Sequence, residues 1–141
     1  MSKSNRDCRT GSAVPVKSSA PPLLVNLSNH ASACWSDEQR EAALKLAPEI
    51  VDLRFPAVPP EADARDINAL ADEVVARLTT KAPGATHAMV QGEFTLAHAL
   101  VRKLQQIGVV CVAAMTRREV VEQTGGTKTT RFDFVRFRAY S

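Results

Sequence analysis

The chain has 141 residues, of which 45% are hydrophobic and 23% charged, and its formal net charge is +3. These proportions are typical of a soluble globular protein of about one domain. No apolar run approaches the ~18 residues of a membrane-spanning helix, and residues 1–22 lack the apolar segment of a secretory signal. We therefore expect a cytoplasmic protein with no membrane association, whose three widely spaced cysteines are reduced thiols.

Residues 1–22 are rich in Ser, Lys, Arg and Pro and show no hydrophobic periodicity. This predicts a disordered leader, followed by a single domain over residues 23–141. The domain begins with an apolar run typical of a strand that is covered on both faces. Ser36 and Gln39 then have the spacing of a capping box at the start of a first helix. Because a capping hydroxyl is already engaged, we do not expect Ser36 to contact a ligand.

Apolar runs and amphipathic segments alternate along the rest of the domain. Predicted strands lie at residues 23–27, 49–55, 87–91 and 109–115, and predicted helices at residues 37–46, 63–80 and from Gly92 to Gly108. Beyond the fourth strand, residues 118–123 and 129–138 are predicted to form an antiparallel hairpin that turns at Gly125 and Gly126. This order predicts an α/β fold, a three-layer Rossmann-like sheet with four parallel strands and a C-terminal antiparallel hairpin.

Ligands of a parallel sheet bind beyond the carboxyl ends of its strands, and three segments of this chain are expected to meet there. They are residues 26–36, 91–95 and 116–118. Two of them lead into helix N-termini, whose free N–H groups attract anions. Arg and Lys residues gather near the end of the chain. They favour a phosphate-bearing partner, or they form a solvated strand edge that resists aggregation.

The first segment contains the residues best suited to chemistry. His30 is the candidate general acid or base because imidazole titrates near neutral pH, although a histidine in a loop is as often a structural hydrogen-bonding residue. Ser28 and Asn29 either donate to a phosphate or a base edge, or only cap the turn after the strand. Trp35 either stacks on an adenine or has a covering role, over the first helix or over a dimer seam.

The second segment begins with Gln91 and Gly92, where glycine allows a tight turn and a close approach to a ligand. Glu93 and Thr95 follow in the first turn of a helix, where Glu93 is also an ordinary capping residue. The chain has no Walker sequence, no GxGxxG motif and no set of side chains with metal-ligand spacing. We therefore expect no metal and no cofactor. The modest charge and the lack of a recognition-helix motif argue against direct binding of duplex DNA.

Several motifs of the chain together carry a resemblance to a known family. They are Asn-Leu-Ser-Asn-His at 26–30, Trp35, Glu38-Gln39, Glu-Ile-Val-Asp-Leu at 49–53, Gln-Gly-Glu-Phe-Thr at 91–95 and Phe-Val-Arg-Phe-Arg-Ala-Tyr at 134–140. These motifs resemble a small single-domain family of CRISPR-associated proteins, similar to the CARF domain and to ring nucleases of type III systems. The likeness covers about residues 23–140. Ala31 stands where members usually have Pro, which makes the loop after His30 less constrained.

The resemblance implies a homodimer that binds a cyclic oligoadenylate, with cyclic tetra-adenylate as the ring whose symmetry matches a two-fold axis. In a ring nuclease, the ribose 2′-hydroxyl of the ligand attacks the adjacent phosphorus without a metal ion. His30 would then be the acid or base, and Arg118 or Arg117 would stabilise the developing charge. The remaining ligand-binding residues would be Ser28, Asn29, Ser32, Trp35, Gln91, Gly92, Glu93 and Thr95.

Two other functions stay open at this point. A protein with the same site is a sensor or sponge if it holds the messenger without cleaving it. An unrelated α/β enzyme or binder for a small phosphorylated metabolite also fits, because this fold class hosts many functions.

Overall fold

Strands and helices alternate through residues 20–141, the part of the chain that the computed structural model describes. Cys8 and most of the predicted leader lie outside these residues. The strands are β1 (Leu23–Ser28), β2 (Glu49–Arg54), β3 (His87–Val90), β4 (Val110–Glu122) and β5 (Lys128–Ala139). The helices are α1 (Asp37–Leu46), α2 (Ala64–Lys81) and α3 (Phe94–Gln106), with a short 3₁₀ turn at Ser32–Cys34. Each of these helices is too short or too polar to cross a membrane.

The strands form a single mixed sheet in the order β2-β1-β3-β4-β5. The first four are parallel to their neighbours and β5 runs antiparallel to β4. The predicted α/β class, the four parallel strands and the C-terminal antiparallel hairpin are therefore confirmed. The strand order changes direction at β1, because the chain adds β2 on one side of β1 and then β3, β4 and β5 on the other side.

The prediction of two separate strands after α3 is wrong. Residues 110–115 and 118–122 of the two predicted strands belong to one strand of 13 residues, β4. Its first part pairs with β3 as far as Val112, and from the same residue onward it also pairs with β5. No Gly or Pro interrupts β4 between these parts, so the backbone continues extended. The irregularity lies in β5 instead, where Val135 is an extra residue between the partners of Met115 and Thr116.

Helices cover both faces of the sheet and make three layers. α2 and α3 bury their apolar stripes on one face, where Leu78, Leu100 and Leu104 are almost completely inaccessible. α1 lies on the other face, and Ala43 packs with Trp35 there. The interior strand β1, which has β2 on one side and β3 on the other, is buried along nearly its whole length, as the predicted two-sided burial requires.

The outer halves of β4 and β5 form an arm that extends beyond the sheet. We define the arm as residues 116–122 and 128–134, which pair with each other and not with β3. Most of its side chains are exposed, including Phe132 at 63% of its surface and the apolar side chains of Val120 and Val121. The sheet therefore divides into a buried body and an exposed two-stranded arm.

Candidate functional site

A cleft of about 830 Å³ opens at the carboxyl ends of β1 and β3. These neighbouring strands lead to helices on opposite faces of the sheet, and ligands of doubly wound sheets bind at such a point. Its walls come from the loop after β1, the start of α1, the end of β3 and the inner part of the hairpin. The lining residues are Ser28, Asn29, His30, Cys34, Trp35, Ser36, Glu38, Gln39, Met89, Gln91, Gly92, Ala114, Thr116, Phe132, Asp133 and Phe134.

A buried amide holds the loop after β1 in place. Asn26 is 2% exposed, and its Nδ2 donates to the His30 carbonyl at 2.7 Å and to Asp52 Oδ1 at 3.0 Å. The Ser28 hydroxyl donates to Asn26 Oδ1 at 2.7 Å. Ser28 therefore lies at the wall of the cleft, but its proton is used inside the loop.

Ser32 belongs to the support of this loop and does not line the cleft. Its hydroxyl donates to Asp52 Oδ2 at 3.2 Å, and its backbone N–H points to the same carboxylate. Arg40 on α1 donates to the Ser32 carbonyl at 2.9 Å. β2 and α1 thus fix the loop from two sides, through Asp52 and Arg40.

Asn29 and His30 are held by this loop with exposed side chains. Both line the cleft. Within residues 20–141, neither the Asn29 amide nor the His30 imidazole forms a hydrogen bond with another side chain or with the backbone. The bonds that fix His30 use its backbone N–H and carbonyl alone, so its ring is free to meet a ligand.

Gln91 contributes an amide whose orientation is fixed. Its Oε1 accepts from the Ala114 N–H at 2.7 Å. An N–H partner requires the oxygen at that position, so the NH₂ group is the end left for the cleft. Gln91 can therefore donate to an acceptor on a ligand while β4 holds it.

Gly92 lines the cleft, but the structure gives another reason for the glycine than a tight turn. A Cβ atom at this position would lie 2.5 Å from the ring of Phe55, which is itself buried. The absence of a side chain at Gly92 therefore lets the end of β3 lie against the residue that follows β2.

Glu93 and Thr95 turn toward the helix and do not line the cleft. The Glu93 carboxylate accepts from the Thr95 hydroxyl at 2.6 Å and from the Leu96 N–H at 2.8 Å. These hydrogen bonds stabilise the charged form of Glu93 and hold its pKa below the ordinary value, and the bond from Thr95 has the larger effect. Glu93 is the N-cap of α3, which is the capping role that the sequence left open.

Trp35 begins a row of aromatic side chains along one wall. Its ring centre lies 6.2 Å from that of Phe137, which lies 5.1 Å from that of Phe134. The extra residue Val135 places Phe134 and Phe137 on one face of β5, and Phe132 follows two residues away on that face. We call these four residues the aromatic row. Trp35 packs in the core on the α1 side and also lines the cleft, so both roles weighed for it stay compatible with its position.

Arg117 and Arg118 lie on the arm and do not line the cleft. Arg118 is directly opposite Phe132 in the β4–β5 ladder, so it shares the face of the aromatic row. Arg117 is opposite Asp133 on the other face. Among the described residues that line the cleft there is no Lys or Arg, and the carboxylates are those of Glu38 and Asp133.

Ser36, which was not expected to contact a ligand because it caps α1, is part of the cleft wall. Ser36 Oγ accepts from the Gln39 N–H at 3.2 Å, as predicted for a cap, but Ser36 also lines the cleft. The reciprocal half of the capping box is absent because the Gln39 side chain turns to Met89 Sδ at 3.7 Å. A side chain at a helix N-terminus can cap the helix and still face a cavity.

The sequence reasoning missed the contribution of β5 to the cleft. Phe132 and Phe134 line it, whereas residues 116–118 were the only part of the hairpin expected at the site. Thr116 of that segment does line the cleft. Alternating Phe132 and Phe134 were the available signal, because side chains two residues apart on a strand share a face. Within residues 20–141 no three His, Cys, Asp or Glu side chains are grouped to hold a metal ion.

Comparison with known proteins identifies a family. No curated protein and no solved structure matches the chain significantly. A family model described as the uncharacterized protein MJ1673 family matches residues 22–138, which include β1 to β4, β5 except its last residue, and every residue that lines the cleft. The chain therefore belongs to the uncharacterized protein MJ1673 family.

Proposed function

We propose that the protein is a cytoplasmic homodimer that binds a cyclic oligoadenylate in the cleft and cleaves it as a ring nuclease, which switches off type III CRISPR signalling. In this proposal the sheet is a CARF-like variant of the Rossmann-like fold. The observation that carries it is the combination, in one cleft, of three rings of the aromatic row (Trp35, Phe132 and Phe134) with the unpaired Asn29 amide, the Gln91 NH₂ group and the His30 imidazole.

Nucleobases suit this cleft for two physical reasons. Every base has a flat π-face that stacks on an aromatic side chain, and Phe132 and Phe134 offer such rings at the wall. Every base edge also carries acceptors and, in adenine, an amino donor. The Gln91 NH₂ group can donate to an acceptor, and the Asn29 amide can both donate and accept.

The proposed cleavage needs no co-reactant. His30 removes the proton of a ribose 2′-hydroxyl, and the oxygen forms a bond to the adjacent phosphorus. The bond from phosphorus to the 5′-oxygen breaks, and that oxygen takes up a proton. The products are a 2′,3′-cyclic phosphate and a free 5′-hydroxyl, and positioning of the ligand supplies much of the acceleration.

The cleavage also requires a positive group that stabilises the negative charge developing on the phosphate oxygens. The cleft itself does not supply one, because no Lys or Arg among the described residues lines it. Arg118, on the same face of the arm as Phe132, is the proposed source. This observation also favours the second candidate function, a sensor or sponge that binds the messenger without cutting it. The two candidates share a ligand and differ only in turnover.

The deciding experiment is incubation of the purified protein with cyclic tri-, tetra- and hexa-adenylate in the presence of EDTA, followed by product analysis. We expect linear products carrying a 2′,3′-cyclic phosphate. His30→Ala should lower the rate by roughly 100-fold or more, since a general acid or base contributes about that much. His98→Ala is the matched control, because His98 is exposed on α3 and does not line the cleft.

Other outcomes assign the other functions. Tight binding with the ring recovered intact makes the protein a sensor or sponge. Absence of binding to all three rings overturns the proposal. A thermal-shift panel of mononucleotides and sugar phosphates then tests the remaining alternative, a small phosphorylated metabolite, since a ligand of the folded state raises the melting temperature.

A further inference from the structure

β5 is the last strand of the sheet, and one of its edges is open. Among residues 20–141 it pairs only with β4. An open edge with exposed apolar side chains is a template for pairing with another strand. On β5 this edge includes Phe132, whose side chain is 63% exposed.

The hydrogen-bonding pattern indicates which groups face the open edge. At the turn, the Gln123 N–H donates to the Thr127 carbonyl at 2.6 Å. Hydrogen-bonded and non-hydrogen-bonded pairs alternate along an antiparallel ladder. On that alternation the backbone N–H and C=O groups of Lys128, Thr130, Phe132 and Phe134 point away from β4 and toward the open edge.

The sequence around Phe132 is complementary to itself. Arg131 precedes it and Asp133 follows it. If two copies of β5 run antiparallel with Phe132 at the centre, Arg131 of each strand lies opposite the partner's Asp133. A centre at Arg131 or at Asp133 would instead place like charges opposite each other, which is destabilising. Charge therefore selects one register out of the neighbouring ones.

We propose that β5 pairs antiparallel with β5 of a second copy of this chain, about a two-fold axis next to Phe132, and makes one continuous ten-stranded sheet. Within one chain Arg131 already pairs with Glu119 at 2.7 Å and with Asp133 at 3.1 Å. The same strand in reverse places the partner's Asp133 opposite Arg131 as well, so a second copy is the occupant that extends this charge cluster with opposite charges. In this register residues 130–134 of the two strands pair, over about 17 Å at ~3.3 Å per residue, since the bulge at Val135 ends the regular pairing.

The β5 pairing adds to the proposed function the surface that joins the two copies. The role of this dimer in ligand binding rests on the proposed function. Neighbouring antiparallel strands related by such an axis keep the same side chains on the same face. Phe132 then meets the partner's Phe132, and the two aromatic rows join across the axis. Arg118 lies outside Phe132 on one side, and the partner's Arg118 lies outside on the other. In this dimer the two Arg118 side chains bring positive charge to the region between the two clefts, whose described lining residues include no Lys or Arg.

Cysteine cross-linking tests the register. In a Cys8→Ser, Cys34→Ser background, oxidation of Phe132→Cys should yield a covalent dimer, because opposite residues of a hydrogen-bonded pair have Cα atoms about 5.5 Å apart, within the range of a disulfide. Thr130→Cys is the matched control. In the proposed register the two cysteines at position 130 are separated by roughly 13 Å along the strands and cannot be joined. Cross-linking of both variants, or of neither, overturns the register.

The oligomeric state tests the surface. Sedimentation of the wild type should give twice the chain mass of 15.3 kDa, and Phe132→Asp should give the monomer because it places two carboxylates beside the axis. Val121→Asp, which introduces the same charge on the other face of the arm, should remain a dimer. Circular dichroism checks that each variant is folded. A monomeric wild type, or a dimer that Phe132→Asp leaves intact, overturns the proposal.

Failure of this inference and failure of the proposed function give different results. If the protein is a monomer that binds a cyclic oligoadenylate, the β5 interface is rejected and the proposed ligand is retained. If the protein is a dimer that cross-links through Phe132→Cys but binds none of the three rings, the interface is retained and the proposed ligand is rejected.

Discussion

The two halves of β4 show how different the body and the arm of this protein are. Cys111, Val112 and Ala113 are buried between helices on both faces, whereas nearly all side chains from Thr116 to Glu122 are exposed. Both halves are extended backbone in the same strand. The first half gains its stability from burial of apolar surface, and the second has only its partner strand and surface ion pairs. An isolated two-stranded ribbon is marginally stable in water, so the arm depends on what it contacts.

A core substitution should break this contrast most strongly. Leu100 on α3 is fully buried, and Leu100→Ala should lower the free energy of unfolding by about 2–5 kcal/mol because it leaves a cavity. Val121→Ala on the arm should change it by less than about 0.5 kcal/mol. Urea denaturation of both variants measures the difference. Equal losses of stability in the two variants would show that Val121 is buried in solution, which the proposed β5 pairing does not explain.

The next largest effect concerns the buried amide that holds the candidate site to the body. Asn26→Ala removes the hydrogen bonds to the His30 carbonyl, Asp52 and Ser28. These partner groups are then left without a hydrogen-bond partner in a buried region. We expect a loss of about 2–3 kcal/mol in urea denaturation. Asn29→Ala, three residues away and exposed, should be nearly neutral for stability. A neutral Asn26→Ala would mean that the loop does not depend on this network.

The contact between Gly92 and Phe55 should give an intermediate effect. Gly92→Ala places a methyl group 2.5 Å from the Phe55 ring, and overpacking of this kind costs about 1–3 kcal/mol. Phe55→Leu should reduce that penalty in the double variant, which a double-mutant cycle detects as a favourable coupling. Additive effects of the two substitutions would contradict the proposed steric conflict.

The smallest effect is a pH dependence from the cap of α3. The pKa of Glu93 is lowered by the Thr95 hydroxyl and the Leu96 N–H, so the folded state binds this proton less readily than the unfolded state does. Its stabilising contribution is therefore present above the ordinary glutamate pKa and is lost as the pH falls through the lowered value in the folded state. Glu93→Gln should flatten the acid side of the melting-temperature profile. Glu122→Gln on the arm, where the carboxylate has an exposed partner in Lys128 at 3.9 Å, should leave the profile unchanged.

A different measurement compares the two cysteines of the described residues. Burial raises the pKa of the Cys111 thiol to about 11, and Cys34 is exposed at the cleft. Because the thiolate is the reactive form, iodoacetamide at neutral pH should label Cys34 in the folded protein and Cys111 only after unfolding. Rapid labelling of Cys111 in the native state would indicate that β4 opens from the body.

Much of the body could be predicted because its signals are local. The apolar stripe of α3 predicts the burial of Leu96, Leu100 and Leu104, and the run after Pro22 predicts β1. Ser36 was correctly predicted as a cap, since the hydroxyl and the N–H that it accepts from lie three residues apart. The rule that ligands bind beyond the carboxyl ends of parallel strands also predicted that the segments around His30 and Gln91 would meet.

The arm and the finer points of the cleft could not be predicted in the same way. Whether β4 is one strand or two depends on its having partners along its whole length, and these come from β3 on one side and β5 on the other. Gln39 was expected to reach back to the backbone of Ser36, and it turns to Met89, a residue 50 positions away in the sequence. Such choices are decided by contacts between distant residues.

The sequence by itself determined the order of the elements, the faces that they bury and the loop that carries Asn29 and His30, because periodicity, caps and turns act within a few residues. The tertiary structure alone decided that Phe132 and Phe134 join that loop in one cleft, that Glu93 and Thr95 face away from it, and that the last strand of the sheet has an open edge. These features depend on strand order and on one extra residue at Val135, which sets the face of every side chain beyond it.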